Sequence, residues 1–219
     1  TTIYSTTSTD GTGGYNFDAS SVTATAPTPV CVETTNMSGY TSTGANVAGS
    51  IAPSGYTLTA DKISFTLAAN ISYTGLNFAD VPANQFITDG TKTGIAGSTV
   101  LYTHSFIAST GGAVTFSLPG VTASPVVSGW NEVLYTDTDC DGIIDGGETQ
   151  TVTSAISVLE GNQICLIVKE FIPSGIALGA SNQVIVKADF AYTGTSPLLS
   201  AGYTRQDLTT VSDTALDLI

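Results

Sequence analysis

One short segment of the chain concentrates acidic side chains at spacings that suit a metal ion. The segment from Leu134 to Gln150 holds five of the eighteen acidic residues, although charged residues make up only 11% of the chain. Residues 137–148 match the calcium-loop pattern D-x-[DN]-x-[DN]-G-x5-E at every defined position. The predicted ligands are the carboxylates of Asp137, Asp139, Asp141, Asp145 and Glu148, together with the backbone carbonyl of Ile143.

The spacing of these residues has a physical reason. The three leading aspartates can each turn one oxygen toward a common centre, and Gly142 permits the sharp bend of the backbone. Asp145 contributes directly or through water, and Glu148 closes the shell with two oxygens. Such a loop supplies the roughly six to eight oxygen ligands that calcium takes, so the predicted cofactor is Ca²⁺. The alternative is a solvated acidic turn, but carboxylates this close repel one another unless a cation or protons relieve them.

The segments on either side of the loop indicate what the ion does. A helix-loop-helix calcium sensor needs an amphipathic helix on each side, whereas "SGWNEVLY" and "TQTVTSAISVLEG" are typical of strands because of their Thr, Val and Ile content. The predicted calcium is therefore a structural clamp rather than a switch. Extracellular sites of this kind bind at roughly 10⁻⁴ to 10⁻³ M, so the site would be filled where calcium is millimolar.

The three cysteines allow one disulfide and leave one thiol over. Cys140 lies inside the acidic loop, and Cys165 lies on the apolar segment that follows it. If they join, the enclosed chain of about 25 residues contributes roughly 3.5 kcal/mol in the chain-entropy model. The alternative is a pair of buried free thiols. Cys31 would be the odd cysteine, either buried or available to a neighbouring subunit.

The elements that must position these residues are strands. Apolar residues alternate with polar ones from Lys62 to Tyr73, which is the period of a strand with one buried face. The last residues leave two alternatives, a helix with the spacing of Leu208, Val211, Ala215 and Leu218, or a final strand at 215–219, which is favoured. Further strands are predicted at 100–108 and 113–118, joined as a hairpin by the loop 109–112, at 164–172 as a central strand, and at 183–192.

Roughly nine to twelve strands with Gly, Pro, Asn and Ser turns between them predict an all-β protein. The predicted architecture is a β-sandwich or jelly-roll-like single domain with extended terminal segments. Residues 1–26 are rich in Thr, Ser and Gly and are predicted to form an N-terminal arm or an exchanged strand. Residues 27–219 are predicted to form the sandwich domain that contains the calcium loop at 137–148.

The sequence does not predict an enzyme. It lacks the G-x-S-x-G, G-x-x-x-x-G-K-[ST] and H-E-x-x-H motifs, and His104 is the only histidine. His104 shares its strand parity with Tyr102 and Phe106, which predicts a packed or edge side chain rather than a catalytic one. No catalytic residue is therefore assigned. The acids outside the loop are interpreted as solubility charges near turns: Asp61, Asp80, Asp89, Glu132, Glu160 and Glu170.

Charge and composition restrict the partners and the compartment. A net charge of −13 with five basic residues argues against nucleic acid and against an anionic membrane surface. No apolar run approaches the ~18 to 20 residues of a membrane-spanning helix. The chain begins with Thr1, which we interpret as a processed N-terminus or an incomplete sequence. Asn36 and Asn70 each begin an N-x-S sequence and are possible glycosylation sites, although a chain this rich in Ser and Thr contains such sequences by chance. Together with the cysteine count and the start at Thr1, they favour an extracellular location.

Three segments carry a resemblance to a known family: "YTDTDCDGIIDGGE", "GNQICLIVKEFIPSG" and "VIVKADFAYTG". Over roughly residues 130–192 the chain resembles large prokaryotic cell-surface proteins built from conserved β-sandwich repeats. In those proteins an acidic calcium-type loop with an embedded cysteine precedes a cysteine-bearing strand. The resemblance implies an envelope or extracellular structural role, and it favours a disulfide between Cys140 and Cys165.

These observations predict a secreted structural subunit of a calcium-stabilised extracellular filament, fibre or surface layer. Copies of the chain would form a homopolymer by strand addition, with the "TTIYSTTST" arm or the "TALDLI" tail as the added strand. The alternative function is an extracellular adhesin or carbohydrate-binding module, for which surface glycans would be the partners.

Overall fold

The structure is a computed structural model that describes residues 2–23, 27–148, 152, 154–194 and 198–213. The chain groups into two compact units, Thr1–Val81 and Pro82–Ile219, which are called here the first and the second unit. Their boundary lies inside the range 27–219 that the sequence predicts to be one domain. The arm at 1–26 and the domain at 27–219 stay predictions.

The first unit contains two small sheets and one short helix. The helix α1 spans Ser20–Thr23, and the strands are β1 (Thr28–Glu33), β2 (Tyr40–Val47), β3 (Thr57–Thr59), β4 (Lys62–Leu67) and β5 (Leu76–Pro82). One sheet has the order β1-β4-β3, and the other pairs β2 with β5. Alternate residues of β4, namely Ile63, Phe65 and Leu67, are buried in a core that also holds Val22 and Ala45.

The second unit is a sandwich of a four-stranded and a five-stranded sheet. Its strands are β6 (Gln85–Ile87), β7 (Gly90–Ile95), β8 (Thr99–Ile107), β9 (Gly112–Ser124), β10 (Asn131–Asp137), β11 (Ile156–Val158), β12 (Gln163–Phe171), β13 (Ser181–Tyr192) and β14 (Ser200–Ser212). The sheet orders are β10-β12-β8-β6 and β11-β9-β13-β14-β7. Phe106 is fully buried between the sheets, and its ring packs against Phe86, Phe116, Phe190 and Tyr203.

The all-β class and the sandwich architecture are confirmed. The described residues form fourteen strands, somewhat more than the sequence predicts. β12 lies between β10 and β8 as a central strand, and β13 buries alternate side chains from Asn182 to Tyr192, as predicted. Leu208 and Val211 lie on β14 rather than on a helix, which the spacing alone left open. The strand predicted at 215–219 lies outside the described residues.

The predicted hairpin is wrong, although both of its strands exist. β8 pairs with β12 and β6 in one sheet, whereas β9 pairs with β13 and β11 in the other. The loop between them therefore crosses from one sheet to the other, which places Phe106 and Phe116 edge to face across the core with ring centroids 5.9 Å apart. Alternation reports which face of a strand is buried, but it does not report which sheet the strand joins.

The predicted strand from Lys62 to Tyr73 is confirmed only in its first half. β4 ends at Leu67, and Asn70 takes a left-handed backbone conformation with φ of 59°. Asn tolerates this conformation better than other non-glycine residues, and a strand cannot continue through it. Ile71 is consequently 44% exposed instead of facing the core.

Candidate metal centre

The acidic loop begins at the end of a strand in the second unit. β10 ends at Asp137, which lies opposite Cys165 of β12 in the sheet register. Ligand oxygens of Asp137, Asp139, Asp141 and Glu148 all lie within 4.8 Å of one another. These four carboxylates could hold a metal ion between them, and all four are among the predicted ligands.

The other two predicted ligands are placed differently. Asp145 is outside the group of four, and its Oδ1 accepts a hydrogen bond from the N–H of Gly147 at 3.1 Å. Ile143 is exposed, and its N–H donates to Asp141 Oδ1 at 2.7 Å. Their roles as ligands stay predictions, because a water-bridged or backbone contact would need the ion itself to define it.

Backbone hydrogen bonds hold the loop in its curved shape. The two carboxylate oxygens of Asp137 accept hydrogen bonds from the N–H groups of Asp141 and Gly142, at 3.2 and 3.0 Å. Gly142 has φ of +79°, and a Cβ at this position would lie 3.1 Å from the Thr103 side chain. The glycine that the calcium-loop pattern demands is therefore required by both the backbone conformation and the close approach of β8.

Glu148 provides the observation that points to a ligand. Its side chain is only 1% exposed, and Oε1 accepts hydrogen bonds from the backbone N–H and the hydroxyl of Thr138. Oε2 is buried without a hydrogen-bond partner among the described residues. An unsatisfied buried polar group costs about 1–3 kcal/mol, and more when it is charged. A cation among the four carboxylates would satisfy this oxygen, so the residues present fit a metal ion.

The charge state of the loop also fits a cation. The backbone N–H and the hydroxyl of Thr138 lower the pKa of Glu148 by hydrogen bonding to its charged form, so this carboxyl stays ionised. Desolvation, together with the negative charges of Asp141 and Glu148, raises the pKa of Asp139. Desolvation and the neighbouring negative charges therefore both oppose ionisation of Asp139, and a bound cation would offset them.

A disulfide fastens the loop to the neighbouring strand. The structure joins Cys140, inside the loop, to Cys165 on β12, with the two Cα atoms 5.4 Å apart. Because Asp137 is the register partner of Cys165, the first ligand and the covalent bond lie at the same point of the sheet. Cys31 is the free cysteine, and it is exposed on β1.

Removing this disulfide is expected to lower the free energy of unfolding of the second unit by about 3 kcal/mol. The test is urea denaturation of a Cys140→Ser, Cys165→Ser double variant. Unfolding is monitored by the fluorescence of Trp130, which is the only tryptophan and lies in the second unit. Cys31→Ser is the matched control and should leave the transition unchanged. Equal midpoints for the double variant and the wild type would contradict a stabilising bond.

A second cluster of polar side chains was not predicted. Glu170 is fully buried, so its interpretation as a solubility charge is wrong. The signal was present, since Glu170 lies in a segment predicted to be a central strand covered on both sides. Its carboxyl reaches Asn182 and Thr209 of the facing sheet, and Glu132, its register partner on β10, also contacts Asn182 at 2.8 Å.

The rest of this cluster continues between the same two sheets. His104 is buried, as predicted, and its Nε2 lies 2.8 Å from Asp207 Oδ2 while its Nδ1 lies 2.8 Å from the carbonyl oxygen of Thr88. The Tyr102 hydroxyl lies 2.7 Å from Thr209 Oγ1. Burial raises the pKa of Glu170 to about 7 and is also the largest cause that raises the pKa of Glu132.

The two candidate glycosylation sites differ in their surroundings. Asn70 is exposed at a turn. Asn36 is half-buried, and in the amide orientation that satisfies both groups it donates to Asp80 Oδ1 at 3.2 Å and accepts from the N–H of Ser42 at 3.3 Å. Attachment of a glycan at either site stays a prediction, and Asn70 has the more accessible side chain.

The fold and the site together define a β-sandwich protein with a carboxylate loop that a disulfide holds against one sheet. No family model matches the chain, and no curated protein matches it. Among the described residues, no helix is long and apolar enough to cross a membrane.

Solved structures are similar to this chain only at a low level. The major pilin subunit BcpA of Bacillus cereus is 12% identical with a TM-score of 0.38, over 74% of this chain and 53% of the pilin. A PapD-like domain of human CEP192 is 9% identical with a TM-score of 0.35, over 60% of this chain and 86% of that domain. A family 123 glycoside hydrolase from Clostridium perfringens is 9% identical with a TM-score of 0.37, over 57% of this chain and 23% of the hydrolase. The match therefore spans about half the length of the pilin, and likenesses at this level carry no argument about function.

Proposed function

We propose that this chain is a structural subunit of an extracellular filament, fibre or surface layer, stabilised by calcium in the loop of residues 137–148. The observation that carries the proposal is the buried Oε2 of Glu148, which lacks a partner among the described residues of a disulfide-anchored carboxylate loop. A site made of carboxylate oxygens suits hard cations such as calcium better than transition metals. The calcium loop needs millimolar calcium and the disulfide needs oxidising conditions, and both conditions are found outside the cytoplasm.

The N-terminal arm supports assembly by strand addition. Residues 2–14 form no helix or strand, while Ile3 and Tyr4 are 77% and 59% exposed. An extended segment with apolar side chains can pair with the open edge of a sheet in another copy, where backbone hydrogen bonds supply affinity. In the sheet formed by the described residues of the first unit, β1 lies at an edge and offers a place for such pairing. The proposed polymer is therefore a homopolymer with the arm as the donor strand; the "TALDLI" tail lies outside the described residues.

Electron microscopy and light scattering of the full chain at high concentration in millimolar calcium test this proposal. The wild type is expected to form filaments, fibres or layers. An Ile3→Asp, Tyr4→Asp variant should remain monomeric, because successive side chains of a strand face opposite sides and one new charge would be buried whichever side meets the sheet. Leu178→Asp, which also replaces an exposed apolar side chain but lies outside the arm, is the matched control and should assemble. A wild type that stays monomeric under these conditions would reject the proposal.

The alternative, an adhesin or carbohydrate-binding module, needs exposed aromatic surface. Trp130 is half-buried and its Nε1 is buried, so its ring offers only part of a contact face. Binding on a glycan array by the monomeric variant would favour this alternative. We propose no turnover of an external substrate, since His104 and Asp207, the one histidine-carboxylate pair among the described residues, are both buried.

A further inference from the structure

Three buried side chains of the second unit form an arrangement that suits a reaction within the chain. Asn182 on β13 and Thr209 on β14 are direct partners in the antiparallel register, and both are fully buried. Glu170 reaches them from β12 of the facing sheet. Its Oε1 accepts a hydrogen bond from Asn182 Nδ2 at 2.7 Å, and its Oε2 accepts one from Thr209 Oγ1. One carboxyl group thus bridges a hydroxyl nucleophile and a carboxamide.

The neighbours of these three residues hold them in place. The Tyr102 hydroxyl lies 2.7 Å from Thr209 Oγ1, and Glu132 Oε1 accepts a second hydrogen bond from Asn182 Nδ2. Asn182 Oδ1 is buried without a hydrogen-bond partner among the described residues. Because Glu170, Asn182 and Thr209 are each 0% exposed, no external substrate reaches them. Any reaction at this cluster must join groups of the same chain.

We propose that the Thr209 hydroxyl attacks Cγ of Asn182 and forms an ester bond that links β14 covalently to β13. The Oγ1–Cγ bond forms, and the Cγ–Nδ2 bond breaks. The hydroxyl proton passes to the departing nitrogen, which leaves as one molecule of ammonia. The reaction requires no oxidant, reductant or other co-reactant, and it occurs once per chain.

Glu170 is positioned to move the proton. Oε2 accepts the proton of Thr209, and Oε1 can return one to Nδ2, so the carboxyl group ends unchanged. Because burial raises the pKa of Glu170 to about 7, the protonated and ionised forms are both available near neutral pH. Side chains directly opposite in an antiparallel pair have Cβ atoms about 4.5–5.5 Å apart, so a small closure of the pair brings Oγ1 to Cγ. Holding the groups together in this way replaces a collision between molecules.

The ester would resist mechanical separation of the strands. β14 lies between β13 and β7 in the five-stranded sheet, and the contacts that otherwise hold it to β13 are non-covalent. A covalent link prevents the two strands from peeling apart under tension. This inference does not depend on assembly or on calcium, because all of its groups lie within one unit of one chain.

Mass spectrometry of the purified, reduced full chain tests the ester. The wild type is expected to be lighter than its sequence by one ammonia, about 17 Da. After proteolysis, the segments that contain Asn182 and Thr209 should be recovered as one linked species, which hydroxylamine separates because it cleaves esters. Thr209→Val and Glu170→Gln should have the full mass. Thr210→Val, on the next residue of β14, is the matched control and should keep the mass loss.

Two results would overturn the proposal. One is a wild type of full mass. The other is a mass loss that persists in Thr209→Val, because Asn182 would then have lost ammonia by cyclising on its own backbone. Thr209→Ser guards against a variant that fails to fold, since it retains the nucleophile and should give the linked species; folding of each variant is checked by Trp130 fluorescence. A folded Thr209→Ser without the linked species also contradicts the proposal.

Discussion

Adding about 10 mM calcium to the calcium-free protein is expected to raise the melting temperature of the second unit by about 3–10 °C. If calcium exceeds its dissociation constant about 10- to 100-fold, binding stabilises the folded state by about 1.4–2.7 kcal/mol. For a chain of this size each kcal/mol corresponds to about 2–4 °C. Trp130 fluorescence reports this transition directly, because Trp130 precedes β10 in the unit that contains the loop. No shift on adding calcium would reject a structural ion.

Variants separate the ion from the loop itself. Glu148→Gln should abolish most of the calcium-dependent shift, since the amide keeps an acceptor for Thr138 but replaces one ligand oxygen with nitrogen. Glu160→Gln, which removes the same charge from an exposed position outside the loop, should retain the full shift. In EDTA, Asp139→Asn should melt no lower than the wild type, because it removes one of four crowded carboxylates. In calcium, Asp139→Asn should melt at a lower temperature than the wild type.

Glu170 is expected to make the free energy of unfolding of the second unit depend strongly on pH. Burial raises the pKa of Glu170 from its ordinary value of 4.5 to about 7, and the charges of Glu132 and Asp207 add to this. The folded state therefore holds the proton more tightly than the unfolded state does. The resulting stability is fully present below pH 4.5 and is lost as pH rises through about 7. The difference corresponds to about 3 kcal/mol at roughly 1.4 kcal/mol per pKa unit.

The measurement uses a background in which the proposed ester cannot form. Thr209→Val removes the nucleophile. It also removes a hydrogen bond that lowers the pKa of Glu170, so the pKa of Glu170 stays raised in this variant. The free energy of unfolding of this variant should fall by about 3 kcal/mol more than that of Thr209→Val, Glu170→Gln between pH 4.5 and 7.5. Parallel pH profiles for the two variants would show that Glu170 does not titrate in this range.

The acidic loop was predictable because its information is local. Twelve consecutive residues fix the ligand types, and the position of Gly142 follows from the backbone bend that the pattern encodes. The buried cluster at Glu170 was not predictable in the same way. Its partners Asn182 and Thr209 lie 12 and 39 residues further along the chain, and they meet only because β12 faces β13 and β14 across the sandwich.

The error at residues 100–118 has the same origin. Two alternating segments with a short glycine-containing loop satisfy the rules for a hairpin, and nothing in their own residues shows that the loop changes sheets. The decisive contact is between Phe106 and Phe116 across the core, which depends on where β12 and β13 are placed. Strand order is set by the packing of the whole unit, so the sequence of one segment does not determine which sheet its strands join.

The order of strands in the five-stranded sheet has a consequence for how the protein is made. β7, near the start of the second unit, pairs in parallel with β14, the last strand that the structure describes. This sheet cannot be completed during synthesis until the residues of β14 have emerged from the ribosome, because β7 pairs with β14. Contacts this distant in sequence also slow folding. The second unit is therefore expected to complete its fold after synthesis rather than during it.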